Sequence, residues 1–339
     1  MRSSRQWSGV LAVIGITVSA GLVALAQSAA PQPSDPETTQ RPNPKPAAAK
    51  KAAALLPASV ELVPDVEYGR VGDRRLLLDI IRPKEPPKGA RMPAVVWIHG
   101  GGWRRGDKGG RQNLPLAERG YFTASIEYRL SEEATFPAAI EDCKCAIRWL
   151  RAHADKYGID PKQIGVWGSS AGGHLSLLVA TTDEKAGLEG NGGWSGYSSR
   201  VQAVVGLCGP SDLTLNADRP TQPGREDARR LFLGGSYEEK PQAYRLASPV
   251  THVSSDDPPA LLIHGESDAV VPIEHAERME AALKKAGVPV TLLRVKNATH
   301  GFQPIAGQPI EPSRGELIRR AVEFFDRHLR PSPPAAAGE

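Results

Sequence analysis

The chain has 339 residues, of which 40% are hydrophobic and 24% are charged, a composition typical of globular proteins. Forty-two lysines and arginines against thirty-eight aspartates and glutamates give a formal net charge of +4, which excludes the strongly basic footprint of a nucleic-acid-binding protein. The three cysteines are too few for a disulfide scaffold and have no histidine or cysteine cluster at zinc spacing. We therefore expect no nucleic-acid partner and no metal site; pairing of Cys208 with Cys143 or Cys145 stays open.

Residues 1–26 have the pattern of an export signal. Arg2 and Arg5 precede an uncharged apolar run, 10–26, which ends in small residues. This pattern predicts a cleaved signal peptide and a secreted or periplasmic protein. The run is also close to the lower length limit of a membrane-spanning helix. The alternative is therefore an uncleaved anchor, the one case in which we expect a membrane partner.

The next segment, 27–57, is rich in proline and alanine and poor in branched apolar residues. Such a segment cannot bury enough apolar surface to offset its chain entropy, so we expect a linker. Residues 331–339 have a similar composition, and we expect a disordered tail. The body between them, 58–330, is predicted to form a single domain.

Within that body, short apolar runs alternate with helical patterns. Several runs are continuously apolar, as buried parallel strands are. Alternation of this kind predicts an α/β fold, with a mostly parallel central sheet and helices on both faces. Ligands of such sheets bind at the carboxyl ends of the strands. The predicted strands are 76–81, 94–98, 123–128, 163–167, 201–207, 260–263 and 288–295, and the predicted helices are 137–157, 174–181, 273–286 and 314–329.

A glycine-rich segment, His99-Gly100-Gly101-Gly102-Trp103, directly follows the predicted strand 94–98. Successive glycines let the backbone turn sharply and point its N–H groups into open space. Such N–H groups stabilise negative charge that develops on an oxygen atom during a reaction. We therefore interpret the segment as an oxyanion-binding loop rather than a simple turn.

A second glycine-bounded segment, Gly168-Ser169-Ser170-Ala171-Gly172, lies between a predicted strand and a predicted helix. The G-x-S-x-G pattern alone is weak, but strand, tight turn and helix are the context that a nucleophile elbow requires. Small residues two positions before and after the serine are needed because a Cβ there would strike the strained turn. The pattern predicts Ser170 as the nucleophile, with Ser169 one residue out of frame.

A serine nucleophile needs a base, and the base needs an acid to orient it. Asp268 follows the predicted strand 260–263, and His300 follows the predicted strand 288–295. Glu266 is the alternative acid. The chain order serine, aspartate, histidine is that of α/β-hydrolases. Of the other histidines, we expect His99, His174 and His264 to hydrogen-bond loops and His153, His275 and His328 to face solvent.

These segments together resemble the α/β-hydrolase superfamily, in its esterase/lipase branch with an HGGGW oxyanion motif. The chain is most similar to bacterial secreted carboxylesterases related to bifunctional feruloyl and acetyl-xylan esterases, whose elbow is likewise followed by Gly-His-Leu, here 173–175. The resemblance implies an α/β-hydrolase fold over 58–330. It also implies a triad and an oxyanion hole of backbone N–H groups, the triad being Ser170, Asp268 and His300 and the hole Gly101, Gly102 and Ala171.

The function expected from these residues is that of a serine carboxylesterase that forms an acyl-enzyme without a cofactor. We expect short-chain or aromatic acyl esters as substrates, free or linked to polysaccharide, and the resemblance points to acetyl or feruloyl groups on plant polysaccharide. Trp103 is a candidate substrate-binding residue, and Trp194 and Phe302 are further candidates. The alternatives are a hormone-sensitive-lipase-like lipase, a kynurenine-formamidase-like amidase, a serine peptidase and a non-catalytic binding protein. The oligomeric state is left open.

Overall fold

The computed structural model describes residues 56–86, 89–217 and 227–330. The expected signal peptide, most of the expected linker and the expected tail lie outside the described residues, so they stay predictions. None of the helices in the described residues is both long and apolar enough to cross a bilayer.

The described residues form one eight-stranded sheet. Its strands are β1 Val60–Val71, β2 Arg74–Pro83, β3 Met92–Ile98, β4 Phe122–Ile126, β5 Ile159–Ser169, β6 Ala203–Leu207, β7 Ala260–Gly265 and β8 Val290–Val295. Their order across the sheet is β1-β2-β4-β3-β5-β6-β7-β8. The pairs β1/β2 and β2/β4 are antiparallel, and every later pair is parallel. The sheet is therefore mostly parallel, as the alternation of runs predicts.

Helices connect the strands and cover both faces of the sheet. One face carries the larger apolar core, which includes Ile147 and Leu178 from two connecting helices. The other carries a core that includes Phe325 from the last helix, against Trp167 of β5. The α-helices are α1 Leu114–Glu118, α2 Ala138–Ala152, α3 Ala154–Tyr157, α4 Ala171–Thr181, α5 Ala228–Leu233, α6 Pro241–Leu246, α7 Glu274–Lys285 and α8 Arg314–Leu329, and the 3₁₀ helices are Glu184–Ala186, Pro249–Thr251 and His300–Phe302.

The central strands are buried because helices cover both of their faces. Every residue of β3 and β4 is buried, which explains the continuously apolar sequence of β3. Strand β1 differs, since it is an edge strand with a proline and most of its residues are only half-buried. Its sequence lacks the apolar run that marks the other strands, and the sequence pattern does not predict it.

The parallel strands place their carboxyl ends at one edge of the sheet. The glycine loop follows β3, the elbow follows β5, and the loops with Asp268 and His300 follow β7 and β8. Five parallel strands in register therefore bring four separate chain segments together. This observed architecture is the expected α/β-hydrolase fold.

Candidate active site

Ser170, His300 and Asp268 form a continuous chain of hydrogen bonds. The Oγ atom of Ser170 lies 3.0 Å from Nε2 of His300, and Nδ1 of His300 lies 2.7 Å from Oδ2 of Asp268. Because a carboxylate only accepts, Nδ1 carries the proton, and Nε2 is left to accept from the serine hydroxyl. The Asp268 side chain is fully buried, whereas 24% of the His300 side chain is exposed. The histidine can therefore meet a substrate while the acid stays shielded from water.

The sharp turn at Ser170 follows from its backbone geometry. Ser170 has φ 56° and ψ −120°, a conformation that costs a non-glycine residue on the order of 1–3 kcal/mol. Its N–H donates to the carbonyl of Leu207 at 2.8 Å, which ties the turn to the end of β6. A Cβ on Gly168 would overlap the backbone of Gly172, and one on Gly172 would overlap the carbonyl of Ile98. Both positions therefore require glycine.

Asp268 is held by the turn that follows it. The backbone N–H groups of Val270 and Val271 both donate to Oδ1 of Asp268 at 2.9 Å. Both oxygens of the carboxylate therefore have partners, since Oδ2 accepts from His300. Glu266, the alternative acid, is exposed, and the structure places Asp268 against the imidazole instead.

The glycine loop after β3 packs directly against the elbow. A Cβ on Gly100 would lie 2.6 Å from the carbonyl oxygen of Ser169 and 3.3 Å from Cβ of Ser170. Gly101 and Gly102 have φ of 118° and 62°, values that strongly favour glycine. Ala171 is the first residue of α4, so its N–H has no acceptor within the helix. The structure thus brings the predicted oxyanion loop beside the elbow, and the role of its N–H groups stays a prediction.

Trp103, at the end of this loop, is buried among other rings. Its indole N–H donates to Nδ1 of His174 at 3.1 Å, and its ring stacks on Phe232 with centroids 4.6 Å apart. His174 donates from Nε2 to the carbonyl of Ala247 at 2.6 Å. Burial lowers the pKa of His174 to about 4, so the ring stays neutral and can accept from the indole. Trp103 is only 4% exposed, and its contact with substrate stays a prediction.

Cys208, the residue after β6, lies at the centre of the site. Its sulfur is 3.6 Å from Oγ of Ser169 and lies within 4.8 Å of ligand atoms of Asp268 and His300. Burial raises the pKa of the thiol, which keeps it protonated and unreactive. Cys143, Cys145 and Cys208 are all free, which answers the pairing question. Asp268 and His300 already bond to each other, and the expected absence of a metal site stays a prediction.

An open cavity of about 260 Å³ adjoins the elbow on the α8 side of the sheet. Ser169 and Phe302 line it together with the rings of Trp97 and Trp167. Phe302, a candidate pocket residue, therefore borders a real cavity. Trp194 is 38% exposed and donates its indole N–H to the carbonyl of Tyr68.

One residue outside the site differs from the sequence-based expectation, and one residue of the site was missed by it. His275 is expected to face solvent but is buried, because its ring lies against the backbone N–H of Asp212 at 3.4 Å. Cys208 is not predicted as a site residue at all. Its position directly after a buried strand, the same position that marks Ser170, is the signal that could have identified it.

A comparison with known proteins places the chain among esterases. A family model described as BD-FAE matches residues 78–283. The chain is 34% identical to Esterase LipQ of Mycobacterium tuberculosis, over 77% of this chain and 61% of LipQ. It is 35% identical to the probable carboxylic ester hydrolase LipM of the same organism, over 77% of this chain and 60% of LipM. The chain thus spans about 60% of the length of these curated relatives.

Solved structures of similar shape are also esterases. A truncated carbohydrate esterase from gut microbiota is 30% identical, with a TM-score of 0.68 and coverage of 79% of this chain and 96% of that one. A thermophilic esterase of the Planctomycetes species Thermogutta terrifontis, with propionate bound, is 27% identical, with a TM-score of 0.65 and coverage of 81% and 97%. The same esterase is also known phosphorylated by paraoxon.

Proposed function

The chain belongs to the BD-FAE family, and from this premise we propose that it is a serine carboxylic ester hydrolase. One observation carries the proposal: Ser170, His300 and Asp268 are joined by hydrogen bonds of 3.0 and 2.7 Å at the carboxyl edge of the sheet. Nucleophile, base and orienting acid are the three groups that acyl transfer through an activated serine requires.

In the proposed reaction, Nε2 of His300 takes the proton of Ser170 while Oγ forms a bond to the ester carbonyl carbon. Negative charge then develops on the carbonyl oxygen, beside the N–H groups of Gly101, Gly102 and Ala171. The alcohol leaves with the proton held by His300, and the acyl group stays on the serine. Water attacks this acyl-enzyme through the same base, which releases the acid and restores the hydroxyl.

We further propose short-chain or aromatic acyl groups as the substrates, including acetyl or feruloyl groups on plant polysaccharide. Two structural relatives support this range: one is an esterase with propionate bound, and the other is a carbohydrate esterase. In the described residues between β6 and β7, the α-helices are α5 and α6, each six residues long. Neither forms a long amphipathic cover of the kind that would open at a lipid interface. An extracellular or periplasmic location fits a polymeric substrate and belongs to the same proposal.

A panel of p-nitrophenyl esters tests both parts of the proposal. We expect kcat/KM for acetate and butyrate to exceed that for palmitate at least about ten-fold, a gap of about 1.4 kcal/mol in transition-state binding. Ser170→Ala should lower kcat by orders of magnitude because the attacking oxygen is lost.

Ser169→Ala is the matched control, since this neighbouring hydroxyl faces Cys208 rather than His300. It should keep most of the activity. An inactive Ser169→Ala beside an active Ser170→Ala would reject the elbow frame. A preference for palmitate, or a jump in rate when micelles form, would restore the lipase alternative.

A further inference from the structure

A second histidine, His264, lies beside the catalytic acid. It is the fifth residue of β7, is 2% exposed, and places its Nε2 atom 3.6 Å from Oδ2 of Asp268. This distance is too long for a hydrogen bond. The ring donates instead from Nε2 to the backbone carbonyl of Val271 at 2.8 Å.

The Val271 carbonyl belongs to the turn that holds the acid. The N–H of the same residue, with the N–H of Val270, donates to Oδ1 of Asp268. The hydrogen bond from His264 therefore begins a chain of contacts that runs from β7 to the turn, from the turn to the carboxylate, and from the carboxylate to His300. The N–H of Asp268 also donates to the carbonyl of Gly265 of β7 at 3.3 Å, but that contact holds the start of the turn and not the N–H groups of Val270 and Val271.

From this geometry we propose that His264 is a positioning residue of the catalytic acid: it fixes the turn that aims the Asp268 carboxylate at His300. The inference rests on the proposed ester hydrolysis but names a residue outside the triad. His264 acts through Asp268 and does not need to touch substrate.

Burial favours a neutral His264 ring in this role, whereas the nearest carboxylates oppose it. Asp268 and His300 face it from the site, and Glu277 and His275 face it from α7. Burial lowers the pKa of His264, against the opposing influence of the two carboxylates. A neutral ring leaves the Asp268 charge available to His300, whereas a charged one would compete for it.

The test compares His264→Leu with His264→Gln in the full chain. Leucine removes the N–H donor and keeps an apolar side chain, while glutamine keeps a donor at the position of Nε2. We expect His264→Leu to lower kcat up to about a hundred-fold, the loss that a misplacement of about 1 Å can cause, with KM almost unchanged. The midpoint of the pH dependence of kcat/KM should also fall by about half a pH unit or more, because a poorly aimed carboxylate stabilises the imidazolium less. His264→Gln should restore kcat and the midpoint of the pH dependence to values close to those of the wild type.

His275→Gln is the matched control, because His275 is also buried but its polar contacts go to Ser211 and Asp212. It should leave kcat and the pH midpoint near those of the wild type. If His264→Leu does not fold, His264→Asn has the same expectation, since its side chain is too short to reach the Val271 carbonyl. Wild-type kcat and pH midpoint in a folded His264→Leu, or an equal loss in His275→Gln, would overturn the inference.

A readout without substrate separates this inference from the proposed function. The proton between Nδ1 of His300 and Asp268 should give a low-field NMR signal, assigned by its loss in His300→Ala. We expect the signal in the wild type and in His264→Gln, and its broadening or loss in His264→Leu. A signal unchanged in His264→Leu would refute the positioning role. An intact signal in a wild type that hydrolyses no ester would refute the proposed function alone.

Discussion

Replacing His174 with glutamine should remove part of the acid sensitivity of the fold. His174 is fully buried, accepts from the indole of Trp103 and donates to the carbonyl of Ala247. Burial lowers its pKa to about 4, from an ordinary value of 6.5. Between these two values the unfolded chain binds a proton that the native chain excludes. The stabilisation is therefore fully present above about pH 6.5 and is lost as the pH falls through about 4.

The size of this effect follows from the two pKa values. Their difference corresponds to at most about 3 kcal/mol in the free energy of unfolding, a large part of the 5–15 kcal/mol that is typical of native proteins. Glutamine cannot take up a proton in this range. Between about pH 7 and pH 4, the free energy of unfolding of His174→Gln should therefore fall by about 2–3 kcal/mol less than that of the wild type.

Urea unfolding at a series of pH values measures the difference. His275 has a pKa that burial lowers to about 4 as well, but it is present in both proteins and cancels in the comparison. His252→Gln, at a partly exposed histidine that bonds the carbonyl of Leu246, serves as the control and should follow the wild type. Equal slopes of unfolding free energy against pH in the wild type and His174→Gln would refute the assignment of a neutral, buried His174.

Two further predictions concern the base and the N-terminus. Because Nε2 of His300 must be unprotonated to accept from Ser170, kcat/KM for esters should fall as acid protonates that atom, and a rate that does not fall in acid while the fold stays intact would argue against His300 as the base. Export predicts that the mature chain starts near Gln27 or Ala30 outside the cytoplasm; N-terminal sequencing of the natively expressed protein checks this, and an intact Met1 in the membrane fraction would favour an anchor instead.

The positions of the candidate catalytic segments can be predicted from the sequence because each one stands at the carboxyl end of a parallel strand. Ser170, Asp268 and His300 follow β5, β7 and β8. The parallel sheet brings them together because the carboxyl ends of its strands lie at the same edge. The elbow glycines can also be predicted from the sequence, since a Cβ at Gly168 or Gly172 would overlap the backbone.

The remaining features depend on packing, which a local pattern does not encode. The two glycines after Ala171 disfavour a helix, and the sequence therefore predicts a start at 174. Helix α4 nevertheless begins at Ala171, because the strained backbone of Ser170 already starts the turn. His275 looks like a solvent-facing helical residue until Asp212 is seen to donate to it. The bond from His264 to Val271 likewise depends on how the turn after β7 folds back.

The short helices α5 and α6 and the edge strand β1 are missed for a related reason. Each is stabilised mainly by what it packs against, as Phe232 of α5 is by Trp103. Six-residue helices are unstable alone, and they are too short to show a helical period in their sequence. Their positions are set by the larger structure around them.

Covalent labelling of the nucleophile tests the central claim most directly. Paraoxon transfers its phosphoryl group to an activated serine, and a structural relative is known in that phosphorylated form. We predict that the wild-type protein takes up one phosphoryl group, that peptide mass spectrometry locates it on Ser170, and that His300→Ala slows the labelling by orders of magnitude. Stoichiometric labelling of Ser169 or another residue, or an unlabelled wild type with an intact fold, would contradict the account.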